Sequence, residues 1–181
     1  MKNLWAPWRM QFILGPKEEG CVFCNVLKQK DGPDNLVLYR GKYNYIILNK
    51  FPYNNGHLMV VPFRHLKDIS RLRPEENAEM LHLSGLSIKA LEQTMYPQGF
   101  NLGINLGAAG GAGIRDHLHL HVVPRWTGDT NWMPVMDETK VMIEYLGDTY
   151  ERLAPVLKKL IRGRGSRSAL RVKKSEKRKA R

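Results

Sequence analysis

The chain is short of cysteine, short of acid and free of long apolar runs, and each shortage removes a class of explanation. Two cysteines among 181 residues exclude a scaffold built on disulfides. No apolar stretch approaches the roughly 20 residues that a bilayer-crossing helix needs. The N-terminus, MKNLWAPWRMQFI, lacks the continuous apolar segment and small-residue cleavage site of a signal peptide, so the expected compartment is the cytoplasm. No internal repeat is visible. With 43% hydrophobic residues, one globular domain can bury a sizeable core without staples.

The acid shortage is local. Only 17 Asp and Glu face 29 Lys and Arg, a net charge of +12. From Arg162 to Arg181, ten basic residues face a single acid, Glu176, so this segment carries +9 and the rest of the chain +3. GRGSRSALRVKKSEKRKAR has few large apolar residues and reads as a solvated, disordered extension, residues 162–181, after a domain spanning residues 1–161. Two roles stay open for it: a solubilising tail, or a salt-sensitive contact with RNA, DNA or another polyanion.

The segments LVLYR (36–40), YNYIILN (43–49) and HLMVVP (57–62) read as consecutive strands, the first two forming a hairpin turned at Gly41-Lys42. From Pro74 to Tyr96 the period becomes helical, with Glu75 and Glu76 at the positive end and Ala78, Leu81, Gly85, Ile88 and Leu91 recurring as a stripe. His82 in that helix is expected to be structural or superficial. FNLGINLG (100–107) returns to a strand, GAAGGAG (107–113) is a glycine-rich loop, and a second helix is expected from Glu138 to Ile161, packing through Val141, Tyr145, Leu146, Leu153 and Leu157. This order predicts an α+β domain with an antiparallel sheet and two main helices.

Between the loop and the second helix lies DHLHLHVVPRW, Asp116 to Trp126, which holds three of the six histidines. Alternation along a strand places His117, His119 and His121 on one face and Leu118, Leu120 and Val122 on the other, with Pro124 marking the end. Buried imidazoles must be hydrogen-bonded, metal-bound or turned toward a ligand. Gly107, Gly110, Gly111 and Gly113 leave backbone amides open to an anion. Loop and imidazoles together describe a phosphate site in which an imidazole attacks phosphorus, because the resulting phosphorus–nitrogen bond is labile enough to pass the group on.

HLHLHVV resembles the signature of the histidine triad (HIT) superfamily of nucleotide hydrolases and transferases. Asn49, then His57 in GHLMVVP eight residues on, and Asn105 before the loop support the match. LWAPWRM, FPYNNGHLMVVP, GFNLGINLG and DHLHLHVVPRWTGDTNWMPV look like the bacterial diadenosine tetraphosphate phosphorylase-like branch. The resemblance implies a small α+β fold that forms a homodimer with a continuous sheet. It implies that His119 attacks the α-phosphorus, that His121 and His57 contact phosphate oxygens, and that His117 completes the triad. Asn49 would hold the ribose hydroxyls, and Asn105 with the amides around Gly111 and Gly113 the phosphate. Orthophosphate as acceptor makes the enzyme a phosphorylase and water makes it a hydrolase; the branch favours phosphate. Whether a divalent cation accompanies the substrate is left open. Trp126 and Trp132 are available either for stacking on a base or for packing. Many family members carry Gln or Ser between loop and triad to assist the leaving group, but GGAGIRDH offers no such side chain. Backbone amides, Arg115 or a residue of TGDTN (127–131) must serve instead.

Cys21 and Cys24 in CVFC supply two thiols at metal-ligand spacing, with free buried cysteines or a redox dithiol as alternatives. In zinc-bearing members of the superfamily the other ligands are a histidine after the V-P strand and the first triad histidine. The resemblance therefore implies a structural zinc at Cys21, Cys24, His65 and His117.

Overall fold

A computed structural model describes residues 19–129 and 142–179, with side chains to residue 163. Its centre is a five-stranded antiparallel sheet of β1 (Val37–Arg40), β2 (Asn44–Leu48), β3 (Leu58–Pro62), β4 (Gly99–Gly103) and β5 (Leu120–Arg125), in the spatial order β1-β2-β3-β5-β4. The short helix α1 (Val22–Asn25) precedes the sheet, α2 (Pro74–Met95) connects β3 to β4, and α3 (Leu146–Lys179) follows β5. Among the described residues, no helix is long and apolar enough to cross a membrane.

Register decides which side chains meet. Leu58 lies opposite Val122, Met59 opposite His121 and Val60 opposite Leu120. Leu58, Val60, Leu120 and Val122 therefore share the face toward α2, and the histidines share the other. In β2 the same alternation sends Asn44 to the carbonyl of Glu76 in α2, while the neighbouring Tyr45 hydroxyl donates to the carbonyl of Phe23 in α1 at 2.8 Å. One face is thus covered by the long helices and the other by the Cys-x-x-Cys turn.

The β1–β2 hairpin forms as expected, but its turn is fixed from a distance. The Glu79 carboxylate accepts backbone N–H bonds from Lys42, Tyr43 and Asn44 at 2.8, 2.6 and 2.7 Å. Gly41 is required beneath it, since a Cβ there would come within 2.7 Å of the Asn44 carbonyl and 2.9 Å of Glu79 Oε1. Pro74 opens α2 at a first-turn position, where its missing N–H costs nothing, and Glu76 accepts from the Arg73 backbone N–H at 2.8 Å. The Arg64 guanidinium grips the same buried carboxylate through two bonds of 2.6 and 2.7 Å.

Several boundaries differ from expectation. The buried stripe of α2 runs through Glu76, Met80, Leu83, Ser84, Leu86, Ser87, Ala90 and Leu91, whereas Ala78 and Leu81 are exposed and Gly85 and Ile88 half-buried. Small and hydroxyl-bearing residues permit this phase, because Ser84 and Ser87 donate back to the carbonyls of Met80 and Leu83. His82 is exposed, as expected. β4 stops at Gly103 rather than running to residue 107. β5 starts at Leu120, so His117 and His119 precede the ladder; there the Leu118 N–H donates to the Leu66 carbonyl instead. Pro124 does not end the strand, which continues to Arg125. Beyond Leu58 there is no β3 residue beside it, and its carbonyl on that side accepts from Asn54 Nδ2 at 3.0 Å, so the absent N–H breaks no ladder bond.

α3 begins at Leu146, eight residues later than the sequence suggests, and its backbone is helical to Lys179, past the boundary expected at residue 161. Leu153 and Leu157 are fully buried, Leu146 packs at the core's edge, and Tyr145 is exposed; Val141 lies outside the described residues. The Tyr150 hydroxyl donates to the Val37 carbonyl at 3.0 Å and ties this helix to the edge strand β1.

Candidate active site and metal centre

The histidine face gathers the predicted residues into two adjoining clusters. His57, His117, His119 and His121 are all buried, at 0%, 0%, 5% and 6% exposure. Imidazoles in such surroundings must have their protons accounted for, and the hydrogen bonds allow this atom by atom.

His57 Nδ1 accepts the Tyr53 backbone N–H at 3.0 Å and faces the Asn49 amide at 3.3 Å, so it carries no proton. The His57 proton therefore sits on Nε2, which donates to His121 Nδ1 at 2.9 Å. This fixes the next ring in turn. His121 must hold its own proton on Nε2, a buried atom without a hydrogen-bond partner among the described residues. Burial lowers the His121 pKa to about 4, so the ring is neutral near pH 7 and presents one N–H donor.

His119 has the opposite polarity. Its Nδ1 lies 2.8 Å from the His117 carbonyl and must donate to it, which leaves the Nε2 lone pair free. Burial lowers its pKa from the usual imidazole value, against the opposing effect of that carbonyl, and keeps the lone pair unprotonated at neutral pH. One face thus offers a nucleophilic nitrogen on His119 and a donor on His121, with ring centroids 4.8 Å apart. A nucleophile beside a donor is the minimum equipment for in-line attack on phosphorus with stabilisation of an equatorial oxygen.

His117 belongs to the second cluster. Its Nε2 is 2.9 Å from the Pro62 carbonyl, so the proton is held there and Nδ1 turns its lone pair toward Cys21 Sγ at 3.2 Å and Cys24 Sγ at 3.6 Å. Cys24 Sγ is also 3.5 Å from His65 Nδ1. The donor atoms of Cys21, Cys24, His65 and His117 all lie within 4.8 Å of one another, and the two thiols are not joined. Two soft sulfurs and two imidazole nitrogens at this spacing, with one imidazole oriented by a backbone carbonyl, suit a tetrahedral zinc ion.

The remaining predicted residues are placed less directly. Asn49 holds the His57 ring through Nδ2 and the Phe51 N–H through Oδ1. Asn105 Nδ2 approaches the Tyr53 hydroxyl at 3.4 Å and the Gly111 carbonyl at 3.5 Å, which joins it to the glycine loop. Gly111 has a φ of +79° that side-chain-bearing residues rarely adopt, whereas Gly113 shows no such demand. Trp126 is half-buried and donates Nε1–H to the Tyr96 carbonyl; Trp132 lies outside the described residues. In TGDTN, Thr127 donates its backbone N–H to Gln98, and Asp129 binds Arg125 and Asn54; Thr130 and Asn131 are outside the described residues.

Two aromatic residues escaped the sequence reading. Tyr53 lies over His57 and His121 with ring centroids at 4.6 and 5.3 Å, and Phe23, between the two cysteines, packs on His117 and His119 at 5.5 and 4.9 Å. The spacing of Tyr53 four residues before His57 was the available signal for the first. The second needed the third dimension.

A buried imidazole with an unprotonated Nε2 beside an imidazole N–H donor on an antiparallel sheet has the chemistry of a phosphoryl-group-handling site, and the comparisons with known proteins give the family. A family model for the HIT domain matches residues 30–128. An AP-4-A phosphorylase of Mycobacterium tuberculosis is 37% identical over 163 residues, covering 85% of this chain and 83% of its own. Among solved structures, a zinc-bound histidine triad family protein from Mycobacterium smegmatis aligns with a TM-score of 0.62 at 26% identity, over 79% of this chain and 96% of its own. A hypothetical histidine triad nucleotide-binding protein from Sulfolobus tokodaii gives 0.61 at 26% identity, over 79% and 93%. The chain belongs to the HIT family, and it is an enzyme of that family whose site fits either a phosphorylase or a hydrolase.

Proposed function

We propose that the chain cleaves a dinucleoside polyphosphate, such as diadenosine tetraphosphate, and passes the nucleotidyl group to orthophosphate. His119 Nε2 attacks the α-phosphorus, the bond to the bridging oxygen breaks, and a nucleoside triphosphate departs. The nucleotidyl-imidazole retains its Nδ1 proton and so carries a positive charge on the ring, which the His117 carbonyl stabilises by accepting that N–H. An orthophosphate oxygen then attacks the same phosphorus, the phosphorus–nitrogen bond breaks, and a nucleoside diphosphate is released with His119 restored. The His121 Nε2–H, held in place by His57, donates to an α-phosphate oxygen. Asn49 is assigned to the ribose hydroxyls, and Asn105 with the amides of Gly111 and Gly113 to the phosphate chain. The observation that carries the reading is the Nδ1–H bond from His119 to the His117 carbonyl, which presents Nε2 as the nucleophile.

Zinc held by Cys21, Cys24, His65 and His117 has a structural role: it ties α1 to the segment that leads into His119. A homodimer fits the exposed stripe of Ala78 and Leu81 on α2 together with the edge strand β4, whose outer backbone groups are unpaired in the sheet order. The basic segment from Arg162 to Arg181 supplies salt-sensitive affinity for a nucleic acid or other polyanion, and the compartment is the cytoplasm.

The products of diadenosine tetraphosphate test the reaction. ADP and ATP, formed only with orthophosphate present, establish the phosphorylase. AMP and ATP, formed equally without it, would replace phosphate by water as the acceptor.

A further inference from the structure

Beside the metal centre the surface opens into a cavity of about 930 Å³. Cys21 and His65 form one part of its wall, and Gly113 to Asp116, the link between the glycine loop and His117, form another. Three cations line it, Lys67, Arg71 and Arg115, against one acid, Asp116. Elsewhere the described arginines with side-chain partners are committed: Arg40 to Asp31, Arg64 to Glu76, Arg125 to Asp129 and Arg152 to Glu144. The side chains of Lys67, Arg71 and Arg115 make no hydrogen bond or ion pair with any described residue. Asp68, which lies near Arg71 outside the cavity wall, already has Oδ1 engaged by the Ser70 N–H and hydroxyl. Three uncommitted cations converging on one concave wall describe a polyanion subsite.

In-line chemistry says which anion belongs there. Displacement at phosphorus places entering and leaving groups on opposite sides. If His119 enters from one side, the departing polyphosphate leaves on the other. The acceptor must later attack along the path the departing group vacated, so leaving group and acceptor use one subsite in turn. The cavity wall takes in Gly113 to Asp116, which join the glycine loop to His117, and it is this shared segment that relates the cavity to the proposed phosphate site. The loop itself offers no side-chain donor, since Ala112 and Gly113 stand there.

We propose that Lys67, Arg71 and Arg115 bind first the departing nucleoside polyphosphate and then orthophosphate, and that this subsite selects phosphate over water. The inference rests on the nucleotidyl transfer proposed above. In the second step an orthophosphate oxygen forms the new phosphorus–oxygen bond as the bond to His119 breaks, and the cations offset the charge shared by the two phosphates. Water needs no such offset, so hydrolysis is indifferent to them.

The test is the partition of products in Lys67→Gln, Arg71→Gln and Arg115→Gln, each turning over diadenosine tetraphosphate at fixed orthophosphate. All three side chains are exposed and uncommitted, so the substitutions leave the fold and the metal cluster in place. Each is expected to raise the KM for orthophosphate by about tenfold, the effect of one lost charge-assisted contact. The ratio of ADP to AMP should fall accordingly, and Arg115→Lys should restore much of it. An adenylate ester with a nitrophenolate leaving group, which departs without a proton and carries no phosphate, should form the adenylyl-enzyme at the wild-type rate in every variant. Unchanged KM for orthophosphate and an unchanged ADP to AMP ratio in the three variants would overturn the subsite. Failure of the wild-type protein to transfer adenylate from either substrate would instead overturn the parent reaction, and the subsite with it.

Discussion

Removing His57 should slow the reaction less than removing His121, and removing both should cost no more than removing His121 alone. His121 supplies the donor itself. Deleting one donor aimed at a developing phosphoryl charge costs on the order of 10²–10³ in rate. His57 acts one bond further back, since its Nε2–H at 2.9 Å from His121 Nδ1 keeps the other proton on Nε2. In His57→Ala that Nδ1 becomes a buried acceptor without a partner, a state that costs about 1–3 kcal/mol. The ring escapes by moving its proton to Nδ1 or by rotating, and either withdraws the donor from the phosphate. The loss is bounded by the same figure, roughly 5- to 150-fold in rate. Single-turnover formation of the adenylyl-enzyme measures it, with thermal unfolding recorded separately for the cavity left by the missing ring. In the double variant there is no His121 left to orient, so the two losses should not multiply. Multiplicative losses, or a greater loss at His57 than at His121, would refute this chain of tautomers.

Glu79→Ala should loosen the β1–β2 hairpin by about 3 kcal/mol, because three backbone donors lose a charged acceptor and water replaces it only in part. For a chain of this size that is a fall in Tm of about 6–12 °C. Stability should also decline with acid in two stages. His121 has a folded pKa of about 4 against 6.5 unfolded, so the unfolded chain gains a proton first and stability drops as pH falls from about 6.5 toward 4. Arg64 holds the Glu76 carboxyl below its ordinary value; at Glu79 burial acts upward, but bonds from Lys42, Tyr43 and Asn44 outweigh it and the net direction is again down. Depressed carboxylates stabilise the fold above their unfolded pKa and lose that contribution as pH falls through the folded one, so a second decline follows below about pH 4.3. Denaturant titrations across this range that show no loss above pH 4.3 would remove the buried neutral His121 from the account. Chelation should lower the Tm without exposing a catalytic ion, and zinc should restore it. Elemental analysis of unchelated protein that finds no stoichiometric zinc would contradict the metal centre.

How much of this was legible in sequence depended on how local each signal was. The alternation of DHLHLHVV announces a shared face within one segment, and GHLMVVP supplies the neighbouring strand. Their pairing through His57 and His121 follows only from the register of Met59 against His121, which no short-range pattern encodes. The two cysteines stand at ligand-like spacing, but His65 and His117 were named only through the resemblance to the histidine triad superfamily, and the orientation of His117 by the Pro62 carbonyl needed the fold. Pro124 misled because a strand-ending proline looks the same as one placed where no partner strand needs its N–H. The stripe of α2 misled for another reason: Ser84 and Ser87 satisfy their hydroxyls within the helix and so lie buried beside Met80, Leu83 and Leu86, where a search for apolar residues alone does not place them. Glu79, 35 residues from the turn it secures, left no mark that a sequence window could detect.

The most direct test of the central claim is to mix the protein with diadenosine tetraphosphate in the absence of orthophosphate, quench it, and locate the adduct by mass spectrometry. One adenylyl group on the peptide bearing His119, labile in acid and absent from His119→Ala, is the predicted result. An adduct on another residue, or appreciable turnover by His119→Ala, would contradict it.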